Sequence, residues 1–223
     1  MNGLIPVTGA IAGLVLAGGR SRRMGQDKAG LRIGGETLLA RQVRLMREAS
    51  VGECWVSMGF GGREEWEGVD ERVSRVRDEV EDGGPMEGIR QVLERSRTAH
   101  LLVLAVDLPG LSTGFLGRLM AKRRAGGGAV PMGVRGLEPL CAVYPVGQAL
   151  AAVKAWGGNG ECSPRRLVSD GLEEGWMESW RVEEPDQACL VNWNQPGDWD
   201  GGSASGHGRQ NRWGETPSSR SRV

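Results

Sequence analysis

Short apolar runs alternate along this chain with stretches whose apolar residues recur every three or four positions. The first pattern marks strands and the second amphipathic helices. Ala12 to Ala17 reads as the first strand. Leu31 to Ile33 is a short extended piece ended by Gly34-Gly35, after which Thr37 caps a helix to about Ala49, with Leu38, Leu39, Val43 and Met46 as its buried stripe. Cys54 to Met58 and Arg72 to Val76 predict the second and third strands. Pro85 suits the first turn of a helix whose Met86, Ile89 and Leu93 share one face.

The run "LLVLAVD", Leu101 to Asp107, is apolar without alternation. It therefore predicts burial on both faces, as in a central parallel strand. A helix near Ser112 to Arg123, strands near Ala129 to Met132 and Leu140 to Tyr144, and a helix from about Val146 to Trp156 follow. Strand-like segments close the pattern near 179–183 and 189–193. Such alternation predicts an α/β, Rossmann-like three-layer fold with a mainly parallel central sheet. From Gly201 the chain reads "GGSASGHGRQNRWGETPSSRSRV", with almost nothing to bury. A single domain over 1–200 and a disordered tail over 201–223 are expected.

Composition narrows the function classes. The 223 residues suffice for one good core, and 39% hydrophobic with 25% charged residues fits a soluble globular protein. Lysine plus arginine (28) equals aspartate plus glutamate (28), so no overall field favours nucleic acid or anionic membrane, and an anion site must be local. Cys54, Cys141, Cys162 and Cys189 are scattered, with neither zinc-ligand spacing nor a disulfide framework, which suggests a reduced, cytoplasmic setting. The apolar N-terminal stretch lacks the preceding positive charge of a secretory signal, since Met1 to Gly19 contains no lysine or arginine. No segment approaches the ~20 apolar residues of a membrane helix.

Two places carry chemistry. In "LAGGRSRRMGQDKAG", Leu16 to Gly30, a strand runs into glycines and then cations. The stretch is neither a Walker A sequence nor a G-x-G-x-x-G fingerprint. Gly18 and Gly19 let the backbone approach a ligand closely, and their amides are expected to form an anion-binding nest. Arg20, Arg22, Arg23 and Lys28 add donors suited to phosphate. In "AVDLPGL", Asp107 is the first charge after the buried strand, at the edge where open α/β sheets bind ligands. A carboxylate there suits Mg²⁺, although a helix-capping aspartate is the competing reading. A cationic and an anionic site at strand ends are what a nucleoside triphosphate with magnesium requires. With no obvious nucleophile, nucleotidyl transfer to a substrate phosphate fits, because the enzyme then mainly positions groups and neutralises charge.

"LAGGRSRRMGQDKAGL" resembles the signature L-A-G-G-x-S-x-R-M-G-x-D-K of the molybdenum cofactor guanylyltransferases. "RDEVEDGGPMEGI", "LAVDLPGL", "LEPLCAVYP" and "LVNWNQPGD" resemble further motifs of that family in the same order, so the likeness spans about residues 11–200. It implies a nucleotidyltransferase fold and, with Mg²⁺, transfer of GMP from GTP to the terminal phosphate of molybdopterin cofactor, releasing pyrophosphate. By motif, Leu16, Ala17, Gly18 and Gly19 would contact the nucleotide, and Lys28 would hold its phosphates with Arg22 and Arg23 beside it. Asp78 would belong to the nucleotide site and Asp107 would bind the metal, with Lys28 and Arg23 as its catalytic companions. Gly84, Pro85 and Gly88 would shape a helix start next to the nucleotide, and Asn192 and Asn194 would face the pterin. Molybdoenzymes and other cofactor-biosynthesis proteins are the implied partners.

The chain departs from the family at Ser57, where some members carry asparagine, and at Glu87, a charge that either alters substrate preference or points into solvent. "LAVD" lacks the usual proline and cysteine, and "QPGDWDGG" replaces the usual helix start near the end. Cytidylyl transfer, transfer to a sugar phosphate, or a non-catalytic nucleotide-binding relative are the competing functions. Leu16-Ala17-Gly18-Gly19 favours GTP over CTP by analogy. His100 reads as structural, and Arg165 with Arg166 at a helix start either meets the pterin phosphate or lies on a solvated face.

Overall fold

A computed structural model describes residues 7–18, 28–60, 66–79, 81, 83–157 and 162–193. Contacts group residues 1–192 into one compact unit. The predicted tail over 201–223 lies outside the described residues.

Among the described residues, eight strands form one sheet. Its spine runs β10 (Met177–Arg181), β7 (Gly128–Gly133), β9 (Cys141–Pro145), β6 (Thr98–Ala105), β1 (Val7–Leu16), β4 (Cys54–Ser57), β5 (Ser74–Val76), and β8 (Gly136–Leu137) pairs with β7 as a hairpin. β2 (Arg32–Ile33) and β3 (Glu36–Thr37) make a separate two-stranded ribbon. β6, β1, β4 and β5 are mutually parallel, whereas β9 runs antiparallel to β6 and β7. The sheet is thus mixed but mainly parallel, and β6 lies at its centre as its unbroken apolar run predicted.

Alternation along the strands assigns side chains to two layers. Val15, Leu102 and Leu104 pack with α1 (Leu38–Glu48) and α3 (Thr113–Lys122). Leu14, Leu16, Leu101 and Val103 pack with α2 (Gly84–Arg95), α4 (Val146–Ala155) and α5 (Pro164–Glu173). Thr37 caps α1 as expected, its hydroxyl accepting the amide N–H of Ala40 at 3.2 Å. Ser112 and Ser163 cap α3 and α5 in the same way.

Several boundaries differ from the sequence reading. β1 starts at Val7 rather than Ala12, because its early residues pair with β6 across a register shift. The segment expected as a strand over 189–193 instead closes a 3-10 helix, Asp186–Leu190, and continues over 191–193 without regular structure. Its neighbours Cys189 and Leu190 are both buried, which a strand with one exposed face cannot achieve. All four cysteines are free, and only Cys162 is exposed. Among the described residues no helix is long and apolar enough to cross a membrane.

Candidate active site

The ends of β1 and β6 lie side by side, with Leu16 in register with Ala105. The pairing runs one step further, the Val106 amide donating to the Leu16 carbonyl at 3.2 Å. Asp107 therefore leaves the sheet next to the start of the glycine stretch. Lys28 comes back to the same point on a 3-10 turn, Lys28–Gly30, and its Nζ donates to Asp107 Oδ2 at 2.9 Å. Both side chains are mostly shielded, about a fifth exposed. Two residues 79 positions apart, each picked from its own motif, thus form one ion pair at the C-terminal edge of the central strands.

The glycine at the head of the stretch acts differently from expectation. The amides of Ala17 and Gly18 donate to the Ser57 carbonyl at 2.9 and 3.1 Å, so Gly18 has no N–H to offer an anion nest. Its glycine character serves packing instead. A Cβ on Gly18 would lie 2.4 Å from the Gly59 nitrogen, so only glycine lets the two backbones cross there. Gly19, Arg20, Arg22, Arg23 and Asn194 lie outside the described residues.

Asp78 follows β5 on the same edge. Ser57 Oγ donates to Asp78 Oδ1 at 3.4 Å, so the residue that departs from the family pattern touches a predicted nucleotide residue. Burial pushes the Asp78 carboxyl above its usual range, the charge of Glu87 adds to this, and the Ser57 hydroxyl opposes it. Gly88 makes the arrangement possible, because a Cβ there would lie 2.5 Å from Ser57 Oγ. Glu87 neither enters the nucleotide side as a free charge nor points into solvent. Arg90 grips it through two bonds of 2.8 and 3.1 Å, Gln91 adds a third at 3.0 Å, and these donors hold its carboxyl below the usual range.

At the same edge of the sheet opens a cleft of about 670 Å³, which Lys28 and Asp107 do not line but which Leu140, bonded to the end of β6, does. Pro85 stands at the start of α2 as expected; there Gly84 and Pro85 rim the cleft, and Arg165 rims it at the start of α5. Helix N-termini carry partial positive charge, and Gly83 at the N-cap of α2 has no side chain to offset it, although Pro85 removes one N–H from the first turn. Arg165 and Arg166 part company: Arg165 lines the cleft, whereas Arg166 stacks on Trp156 at 4.8 Å. Asn192 also lines the cleft, and its Oδ1 is buried without a hydrogen-bond partner.

Glu138 is a member that the sequence reading passed over. The Leu140 carbonyl accepts the Ala105 amide at 2.7 Å, which locks the turn before β9 against the end of β6. Glu138 in that turn lines the cleft and feels Asp107 on one side, Arg135 and Arg165 on the other. Burial raises its carboxyl above the ordinary range, the Leu140 amide opposes the rise, and Asp107 adds to it. The only signal was its place in "LEPLCAVYP", a motif read for its strand and not for its acid.

A mostly shielded lysine–aspartate pair and a cleft at the carboxyl edge of a mainly parallel sheet mark an α/β protein of the nucleotidyltransferase fold. A nucleotidyl transferase of Methanothermobacter thermautotroptrophicus shares that fold with a TM-score of 0.65 at 20% identity, covering 86% of this chain and 94% of that one. Molybdopterin-guanine dinucleotide biosynthesis protein A of Archaeoglobus fulgidus gives 0.60 at 19% identity, covering 85% and 95%. In sequence, a probable molybdenum cofactor guanylyltransferase of Opitutus terrae is 39% identical over 194 residues, 86% of this chain and 94% of its own. Another, of Chloroflexus aggregans, is 31% identical over 204 residues, 87% and 94% of the two chains. The family model of the MobA-like NTP transferase domain matches residues 13–174, and the chain belongs to that family.

Proposed function

We propose that this chain transfers GMP from GTP to the terminal phosphate of molybdopterin cofactor, forming the guanine dinucleotide cofactor and releasing pyrophosphate, with Mg²⁺ as cofactor. The observation that carries the reading is the Lys28–Asp107 pair at the joined ends of β1 and β6, with an arginine-rimmed cleft at the same edge of the sheet. The printed names of the relatives supply the substrate class.

In this reaction an acceptor phosphate oxygen bonds to the α-phosphorus, the bond from α-phosphorus to the bridging oxygen breaks, and pyrophosphate departs with its electrons. No side chain need become covalently attached, so the work of the protein is placement and charge. Lys28 meets the triphosphate, Arg22 and Arg23 supply further donors for it by motif, and the family motif assigns Leu16, Ala17, Gly18 and Gly19 to the nucleotide. Asp78 serves the nucleotide as an acceptor, since donors on a ligand relieve the burial that lifts its carboxyl. On the other side, Arg165 and the uncapped start of α2 suit the acceptor phosphate. The orphaned Asn192 Oδ1 suits an N–H of the pterin, with Asn194 nearby in sequence.

Asp107 fits magnesium. Among the described residues no group of three acidic, histidine or cysteine side chains could cage a metal, and Mg²⁺ commonly takes one or two carboxylates with phosphates and water. When bound, Mg²⁺ neutralises the charge developing on the phosphates. Asp107 would hold it, and the charge of Lys28, 2.9 Å from that carboxylate, would face the same phosphates. We place the reaction in the cytoplasm, within one domain over 1–200, with molybdoenzymes receiving the product.

The test incubates purified protein with Mg²⁺, molybdopterin cofactor and each nucleoside triphosphate separately. Guanine dinucleotide and pyrophosphate from GTP alone are expected. Cytosine dinucleotide as the main product, or no dinucleotide from any triphosphate, overturns the reading.

A further inference from the structure

The two candidate aspartates follow strand ends, on backbone that no strand pairing holds directly. Each is tied from behind by a glutamine buried in a helix. Gln42 of α1 is fully buried, and its Nε2 donates to the carbonyl of Leu108, the residue after Asp107, at 2.8 Å. Gln91 of α2 is also buried, and its Nε2 donates both to the carbonyl of Arg77, the residue before Asp78, at 2.7 Å and to Glu87 Oε1 at 3.0 Å. The two helices lie on opposite faces of the sheet. The same device therefore recurs from both layers, one peptide unit from each carboxylate.

Packing does not explain Gln42. Its Oε1 is buried and has no hydrogen-bond partner, and such a group is a net cost to stability. Methionine would fill the same space without that cost. What the amide does supply is a donor to a turn that needs one. Arg41 joins it, donating to the Pro109 and Leu111 carbonyls at 3.1 and 3.0 Å, so α1 takes three carbonyls of the turn. On the other side, Gly110 presses so closely on Ala188 that a Cβ would meet its carbonyl oxygen at 2.3 Å. The turn after Asp107 is clamped between α1 and the 3-10 helix that leads to Asn192.

We propose that Gln42 and Gln91 are positioning residues that orient Asp107 and Asp78 through the neighbouring peptide units, so that metal affinity depends on Gln42 and nucleotide affinity on Gln91. The inference rests on the site reading above, and Asp107→Asn separates the two. Gln42→Met and Gln91→Met are compared with wild type and with Asp107→Asn. Mn²⁺ affinity in the presence of GTP is read by electron paramagnetic resonance, with kcat, the KM for GTP and Tm. Gln42→Met is expected to keep or raise Tm and the KM for GTP unchanged, yet weaken Mn²⁺ binding and kcat about five- to tenfold, the worth of one buried hydrogen bond. Gln91→Met is expected to raise the KM for GTP and spare Mn²⁺ affinity. Val43→Ala, a buried position on the same helix, serves as the control for loosened packing. The inference falls if Gln42→Met leaves Mn²⁺ affinity within twofold, or Gln91→Met leaves the KM for GTP within twofold, while Asp107→Asn loses Mn²⁺. It also falls if Val43→Ala weakens Mn²⁺ binding as much as Gln42→Met does. Unchanged Mn²⁺ affinity in Asp107→Asn overturns the site reading itself.

Discussion

Asp107 is held by Lys28, so both charges of the pair are aimed at one point between β1 and β6. A preorganised group of this kind loses about 10²–10³ in rate when removed. Asp107→Ala is expected to lose that much Mg²⁺-dependent transfer while remaining folded, because the side chain is not part of the apolar core. Near wild-type turnover by the purified variant would sink the assignment. Both members of the pair were legible in the sequence, Asp107 because a charge directly after an unbroken apolar run must surface at a strand end, and Lys28 as one of the cations that follow the glycines. Gln42 was half legible, as a polar residue in register with the buried stripe of Leu38, Leu39, Val43 and Met46. Glu138 was not, since its importance comes from the neighbouring strand that brings Asp107 close, a non-local fact.

At the level of elements, α2 and β4 approach each other only because position 88 lacks a side chain. A methyl there would lie 2.5 and 2.7 Å from Ser57 Oγ and Cβ and 3.3 Å from Leu16 Cδ2, so helix or strand must shift. Gly88→Ala is expected to destabilise by about 1–3 kcal/mol, as overpacking does, and to weaken GTP binding through Asp78. Combining it with Ser57→Gly should restore part of both losses in chemical denaturation and calorimetry, the signature of two residues in contact. Simple addition of the two effects would show that the clash is not the cause. Elements with a clear period and a cap, such as α1 and α3, were readable within a residue or two. The 3-10 helix Asp186–Leu190 was not, because "CLVNW" has the composition of a strand and only its packing on the Gly110 turn decides otherwise.

For the molecule as a whole, two buried layers on a mainly parallel sheet followed from the order of apolar periods, but the antiparallel insertion of β9 between β6 and β7 did not. No local period distinguishes a strand's direction. His100 shows how the whole fold answers to pH. It is buried in β6, its Nε2 is 3.1 Å from the Gly127 carbonyl, and its Nδ1 has no partner. Burial, then the Arg123 charge, push its pKa below the ordinary 6.5, against the bond to Gly127. The unfolded chain therefore binds this proton more readily than the folded one. Stability from this group is complete above pH 6.5 and is lost as pH falls below it, at a slope of at most about 1.4 kcal/mol per pH unit. Tm measured between pH 7.5 and 5.5 should drop, and His100→Gln should flatten the curve; an equal drop in the variant would exonerate the histidine. The pattern of thiols has a practical consequence too. Cys54, Cys141 and Cys189 are sealed in the interior, while Cys162 stands exposed at the rim of the cleft beside Ser163. The native chain is thus its own single-label reporter: a maleimide dye should attach once per molecule, and ligand entering the cleft should slow that attachment.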